Sequence, residues 1–308
     1  MLLGVDIGGT AIKAGAITET GEVLREATAA TPNTNEQGDV FAVASALLAE
    51  VGAADEAAPI GCGLAAGLEP GTGRVVASPN MPGLVGSAPA AALGAALGLA
   101  AEETARRLHI ENDANAAALG EQWLGAARGE DNLAVLTLGT GVGGGLILGG
   151  ALVTGSTGCA SEIGHVLVDP EGPTCGCGAR GCLEAVASAS AAAARARAAG
   201  LPRDNPGNLP LLCEEARKSP GPERELLSAV GRDLGRGLTA ALALLDIDLF
   251  VFAGGFSAAL DLLEPGIRKG MDRGSTPAGR RRVRLIRAQL GNRAGWIGAA
   301  RLAALAGA

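Results

Sequence analysis

The chain has 308 residues, enough for two lobes of about 150 residues each. Its net charge of −7 makes it a poor candidate for sequence-independent nucleic-acid binding, which wants basic faces, and 48% hydrophobic against 19% charged residues argues against a disordered chain. Aromatic side chains make up only 2%, with no Tyr, so the core must be built from Ala, Leu, Val and Ile, and base stacking on aromatics is disfavoured.

The chain opens Met1-Leu2-Leu3-Gly4-Val5-Asp6, with no basic n-region, so no signal peptide is expected. The first element is a strand over residues 2–7, then the glycine turn Gly8-Gly9-Thr10 and a second apolar run, Ala11 to Ile17. Two apolar runs of strand length around a glycine turn read as a β-hairpin. The uncharged stretch Val75 to Ala101 is broken by Pro79, Pro82 and Pro89, and that from Leu133 to Ser161 by glycines, so neither is read as a membrane span. Ala90 to Leu108 is Ala-rich and reads as helix. Asp113 to Leu124 reads as a helix capped by Asn112 or Asp113.

About 130 residues after the first hairpin the same grammar returns: Leu133 to Leu138, the turn Gly139-Thr140-Gly141, then Val142 to Leu148. Ala185 to Ala199 reads as helix and Pro202 to Pro210 as a loop. A long amphipathic helix from Glu223 to Leu245 carries Leu226, Val230, Leu234, Leu238 and Leu242 along one face and runs into a third strand, Asp248 to Ala253, followed by Gly254-Gly255. The recurrence suggests two related lobes, and strands alternating with helices give an α/β class.

Glycines after a buried strand let backbone N–H groups approach an anion, so Asp6, Gly8, Gly9, Thr10 and Lys13 form a candidate phosphate or Mg²⁺ site, although an ordinary hairpin turn would use the same residues. Thr140 and Gly141 offer a second amide-rich turn with a hydroxyl. Gly139 to Gly144 also fits the dinucleotide fingerprint, but that fingerprint must open a helix, and Leu146-Ile147-Leu148 reads as strand. Asp113, at a strand–helix junction, is a candidate general base with Asn112 to orient a substrate, or simply a helix cap. His165, Cys175, Cys177 and Cys182 supply three thiols and one imidazole within 18 positions, the tetrahedral zinc set of a closed structural site. The other cysteines, Cys62, Cys159 and Cys213, read as small core residues, and six cysteines in a chain with no signal peptide suit a reducing compartment.

These segments resemble the ROK family (repressor, open reading frame, kinase). The chain carries that family's C-x-C-G-x-x-G-C-x-E pattern from Cys175 to Glu184 after Gly164-His165, together with Asp6–Thr10, Glu111–Glu121, Gly139–Gly145 and Ala253-Gly254-Gly255 in order. The resemblance implies an α/β actin-like ATPase fold, two ribonuclease-H-like lobes with an interlobe cleft and a zinc-binding loop. The expected lobes are residues 1–112 and 113–295, with a helix at about 296–308 packing back on the first. Carried over residue by residue, it implies that Asp113 takes the proton of a sugar 6-hydroxyl that attacks the γ-phosphate of ATP in line. Gly67, Asn80, Asn112, Glu162, His165 and Glu184 would bind the sugar. Asp6, Gly8, Gly9, Thr10, Lys13, Thr140, Gly141, Gly254 and Gly255 would hold ATP with Mg²⁺, and zinc on His165 and the three cysteines would fix the imidazole.

Within the family, Gly164 to Gly172 and Cys182 to Ser188 are most similar to glucokinases, which implies glucose as substrate, with N-acetylglucosamine, N-acetylmannosamine, fructose or allose as alternatives. Leu84 and Arg293 depart from the family pattern, where an aromatic and an Asp are common. A cytoplasmic homodimer is expected, without nucleic acid or membrane. The family's sugar-responsive repressors carry a winged helix before the sugar-binding part, for which a first strand at Leu2 leaves no room; a non-catalytic sugar sensor is the remaining alternative class.

Overall fold

The computed structural model describes residues 1–32, 37–52, 58–272, 276, 279 and 281–307. Strands β1 (Leu2–Ile7) and β2 (Ala11–Ile17) form the expected antiparallel hairpin, with Asp6 opposite Lys13. β3 (Val23–Ala30) extends the meander. After helix α1 (Gln37–Val51), strand β4 (Ile60–Leu64) pairs parallel to β1. A small ribbon, β5 (Gly67–Leu68) with β6 (Val75–Ala77), precedes α2 (Pro89–Ala96) and α3 (Ala101–Arg107). β7 (Leu108–Asn112) then pairs parallel to β4 and feeds α4 (Asp113–Trp123). The first sheet is therefore ordered β3-β2-β1-β4-β7.

The second half repeats that plan. β8 (Leu133–Leu138), β9 (Val142–Leu148) and β10 (Ala151–Leu152) make the meander. Helices α5 (Leu183–Ala187), α6 (Ala189–Ala198), α7 (Leu209–Lys218) and α8 (Pro222–Leu245) follow. β11 (Leu249–Ala253), α9 (Leu260–Met271) and β12 (Arg284–Arg287) complete a sheet ordered β10-β9-β8-β11-β12, in which β11 is parallel to both β8 and β12. Helix α10 (Ala294–Ala306) ends the chain. The chain forms two compact units, Met1–Asp131 with Gly145–Ala160 and Gln289–Ala308, and Asn132–Gly144 with Ser161–Ala288.

Three local readings are corrected. The Ala-rich stretch from Ala90 to Leu108 is two helices, because Gly98 adopts φ +72° between them, and Leu108 already belongs to β7. Ala185 to Ala199 breaks at Ser188, whose extended backbone ends α5 and whose hydroxyl caps α6 by accepting from Ala191 N. The loop after Pro202 ends at Asn208, which caps α7 through Leu211 N, with Pro210 inside its first turn.

In the first unit, α10 lies directly on backbone. A side chain at Gly4 would stand 1.9 Å from Trp296 O, and one at Gly61 1.7 Å from Ala299 O. The Trp296 ring covers Gly15 and is only 1% exposed, and Arg301 lies 5.5 Å over the ring of Trp123. The fully buried Glu121 fixes the entry to this helix. It accepts from Gln289 N (3.1 Å), Leu290 N (2.9 Å) and Ala126 N (2.8 Å).

In the second unit, α8 and α9 meet along glycines. A Cβ at Gly235 would fall 2.1 Å from Ile267 O, and one at Gly270 2.2 Å from Arg232 O. Gly235→Leu should lower stability by about 3 kcal/mol, because the obstacle is backbone that cannot rotate away. Urea unfolding of the variant and the parent checks this.

Candidate functional site

In the first unit the carboxyl ends of the parallel strands β1, β4 and β7 gather polar groups, as open α/β sheets commonly do. Asp6 is the penultimate residue of β1, Asn112 ends β7, and Asp113 opens α4. Asn112 is the cap: its side-chain oxygen accepts from Ala114 N (2.9 Å) and Asn115 N (3.2 Å), while its amide donates to Ala66 O (3.2 Å). This holds the strand–helix corner that presents Asp113, whose Oδ1 accepts from Ala114 N at 2.9 Å. Glu111 braces the corner from behind, accepting from Asn112 N (2.8 Å) and the Asn115 amide (3.0 Å).

A Cβ at Gly63 would lie 3.7 Å from both the Asp113 Cα and Asp6 Oδ1. Burial, and then the negative charge of Asp113, push the Asp6 carboxyl up to about 7, and Lys13 Nζ, 3.9 Å away, only partly offsets them. Asp6 also touches the start of α10, where a Cβ at Gly295 would be 2.5 Å from its Cγ.

The β1–β2 turn is closed by Gly8 N to Ala11 O (3.2 Å), leaving Gly9 and Thr10 exposed. Asn80 is brought against it, its Cβ 2.9 Å from where a Gly9 Cβ would stand. Ser78, which donates to Ala65 O at 2.9 Å, anchors the Asn80 loop, and Gly67 lies in β5 opposite Ala77. The first unit thus brings together Asp6, Lys13, Gly9, Asn80, Asn112 and Asp113.

In the second unit the β8–β9 turn presents Thr140 to solvent, and Val142 N donates to Glu184 Oε2 at 3.0 Å. Gly254 has φ +79°, and a Cβ there would strike Leu138 O at 2.4 Å, so the turn after β11 requires glycine. Thr140 and Gly255 line a cavity of about 560 Å³ whose apolar walls include Leu209, Pro210, Cys213 and Phe256. Gly141 and Gly254 adjoin these lining residues in sequence. The wall residues on α7 escape sequence reasoning because that helix hides behind a Pro/Asn/Gly-rich stretch.

Beside this turn, one ligand atom each from His165, Cys175, Cys177 and Cys182 lie within 4.8 Å of one another. Cys177 Sγ and Cys182 Sγ are 3.7 Å apart, as are Cys175 Sγ and His165 Nδ1. Those spacings match the edge of a tetrahedron with bonds of 2.3 Å, about 3.8 Å. The donor set and its spacing therefore fit a tetrahedral metal ion. His165 turns its other nitrogen toward Glu162, with Nε2 3.8 Å from Oε2. Glu184 reaches the cluster through Cys175 Sγ at 3.6 Å from Oε1. All six cysteines are free thiols; Cys62 and Cys213 are buried, but Cys159 is exposed in a surface loop, contrary to its reading as a core residue.

Two sheets on one strand plan, each with a glycine turn after its first strand, define the class of actin-like ATPase folds. The chain belongs to the ROK family, whose model matches residues 2–305. It is 36% identical to a glucokinase of Streptomyces coelicolor over 98% of this chain and 97% of that one. It is 43% identical to a glucokinase of Thermotoga maritima over 61% of this chain and 57% of that one. Its fold matches the crystal structure of a ROK family glucokinase from Streptomyces griseus in complex with glucose and AMPPNP, with a TM-score of 0.80, 33% identity and 99% of both chains covered.

The raised Asp6 value sets a pH dependence. A folded value above the unfolded one means that stability present in acid is lost as pH rises from about 4 to about 7, by at most about 4 kcal/mol. Asp6→Asn should therefore gain on the parent by about 2 kcal/mol between pH 5 and pH 8. Thermal melts of the metal-free proteins at both pH values check it; parallel profiles would refute the burial argument.

Proposed function

We propose that this protein is an ATP-dependent glucokinase that phosphorylates glucose at its 6-hydroxyl. The observation that carries the reading is the Asp6–Asp113 pair, two carboxyl groups gathered at the same end of one parallel sheet. Asp113 is the general base. Its carboxylate takes the 6-hydroxyl proton as the oxygen attacks the γ-phosphorus and the bond to ADP breaks. Asn112, fixed as a cap, and Asn80, pressed against Gly9, orient the sugar with Gly67 beside them.

The family resemblance assigns Glu162, His165 and Glu184 to further sugar hydroxyls. The apolar cavity with Thr140 and Gly255 takes the adenosine portion, and Gly141 and Gly254 keep backbone close to the nucleotide. Gly8, Gly9, Thr10 and Lys13 face the phosphates. Mg²⁺, when bound with ATP, would neutralise charge developing on the transferred phosphoryl group. Asp6 fits such a cation, because its buried carboxyl lies beside another carboxylate with only one distant lysine to offset it.

We assign the His165, Cys175, Cys177 and Cys182 cluster to zinc, where it holds the imidazole at one angle and leaves Nε2 for the sugar. The family resemblance adds a homodimer, and exposed Leu167 and Leu244, at 60% and 82%, offer apolar surface for one. Six cysteines with no disulfide among them suit the reducing cytoplasm. Among the described residues no helix is long and apolar enough to cross a membrane.

Coupled ADP release with Mg-ATP across glucose, N-acetylglucosamine, N-acetylmannosamine, mannose, fructose and allose tests the reading. Preference for glucose is expected, and turnover of another hexose would overturn the substrate but keep the chemistry. Asp113→Asn should lower kcat by about 10²–10⁴ with glucose binding retained. Near-parental kcat would remove Asp113 as the base. Cys177→Ser should lose zinc by elemental analysis and melt at lower temperature, and unchanged metal content would refute the zinc assignment.

A further inference from the structure

Helices α7, α8 and α9 of the second unit enclose a groove of about 850 Å³ whose charge runs against that of the chain. One wall is the α8 stripe Arg224, Ser228 and Arg232, and the other is the α9 stripe Asp261, Pro265 and Lys269. Both stripes repeat every four residues, so each lies along one helix face. Arg217, at the end of α7, closes the groove. Four cations and two carboxylates, Glu225 and Asp261, line it in a protein of net charge −7.

Two of the cations, Arg232 and Lys269, are not consumed by the carboxylates. Asp261 is occupied by Arg217, which donates to it from two nitrogens at 2.8 and 2.9 Å. Arg224 is steered by its Nε, which donates to Ala216 O at 2.8 Å. Among the described residues, the side chains of Arg232 and Lys269 have neither a hydrogen bond nor an ion pair. Both line the same groove, and α8 and α9 approach closely there, since Arg232 O packs where a Cβ of Gly270, the residue after Lys269, would stand. Two cations without carboxylate partners on one groove favour an anion there.

We propose that this groove binds a short polyanion carrying two or more phosphoryl groups, either a condensed phosphate or a bisphosphorylated metabolite. Arg224 and Arg232 lie eight residues apart, about 12 Å along the helix, so a ligand with phosphoryl groups at both ends can engage both positions at once. Arginine forks at the α8 positions and the point charge of Lys269 supply the two kinds of phosphate contact. The proposal does not rest on the glucokinase reading, because Arg224, Ser228, Arg232 and Lys269 belong to no part of that machinery.

Calorimetric titration with tripolyphosphate and, separately, with a hexose bisphosphate tests it, with AMPPNP present to fill the other cavity. Binding of either by the parent, weakened about tenfold or more in the Arg232→Glu/Lys269→Glu variant, is expected. The two titrants distinguish the two sources. Arg232→Gln/Lys269→Gln, milder in charge, should show a smaller loss in the same direction. Glucose-dependent ADP release and melting temperature should match the parent in both variants. No binding by the parent at about 50 mM ionic strength, equal affinity in the charge-reversed variant, or orthophosphate binding as tightly as tripolyphosphate would each overturn the proposal. Loss of polyanion binding on charge reversal in a protein that turns over no sugar would keep the groove and discard the glucokinase reading.

Discussion

Helix α10 rests on the first sheet through backbone, with no side chains between them at Gly4 and Gly61, and the rest of the first unit is arranged around that contact. A helix seated on side chains can adjust by changing rotamers, whereas one seated on carbonyl oxygens cannot. Glu121 adds the second constraint, because three backbone N–H groups end on one fully buried carboxylate and tie α4 to the segment entering α10. Since α4 carries Asp113 at one end and Glu121 at the other, the position of Asp113 and the seating of the helix are one problem. Gly295, set against Asp6, makes the connection direct.

That arrangement explains why the electrostatics come out as they do. The positive end of a helix beside Asp6 would favour its charged form by about 0.3–1 kcal/mol. Burial and the neighbouring carboxylate act in the opposite sense with several times that strength, and so Asp6 is pushed up rather than down. The second sheet uses the same strand plan, among the described residues without such a carboxylate pair. Its corresponding turn is instead tied to Glu184, which takes Val142 N–H on one oxygen and the Cys175 thiol on the other. The shape of that turn is thus linked by one side chain to the loop holding three thiols and an imidazole.

Features encoded within a few residues were legible in the sequence. The hairpins at Gly8–Thr10 and Gly139–Gly141 announce themselves by two apolar runs around a glycine turn, Asn112 by its place before an Ala-rich helix, and the thiol cluster by its spacing. Features that depend on pairing distant segments were not. Asp6 and Asp113 meet because β4 lies between β1 and β7, and nothing local to either residue records that order. The bond from Glu121 to Leu290 spans 169 positions, and the only hint was a carboxylate set in an apolar helix. The Ala-rich stretches misled for a different reason. Ala carries helix propensity across a break, so Gly98 and Ser188, each sufficient to end a helix, were outweighed by their neighbours.

The two tryptophans also belong to one unit. Trp296 is sealed against Gly15, and Trp123 lies under Arg301; with no Tyr in the chain, near-ultraviolet absorption and emission arise almost entirely from the first unit. The second unit, with its thiol cluster and its basic groove, is optically dark. Loss of tryptophan fluorescence on heating therefore times the release of α10 and the end of α4. If the second unit melts earlier, that event passes without a tryptophan signal and emerges in heat capacity or far-ultraviolet dichroism.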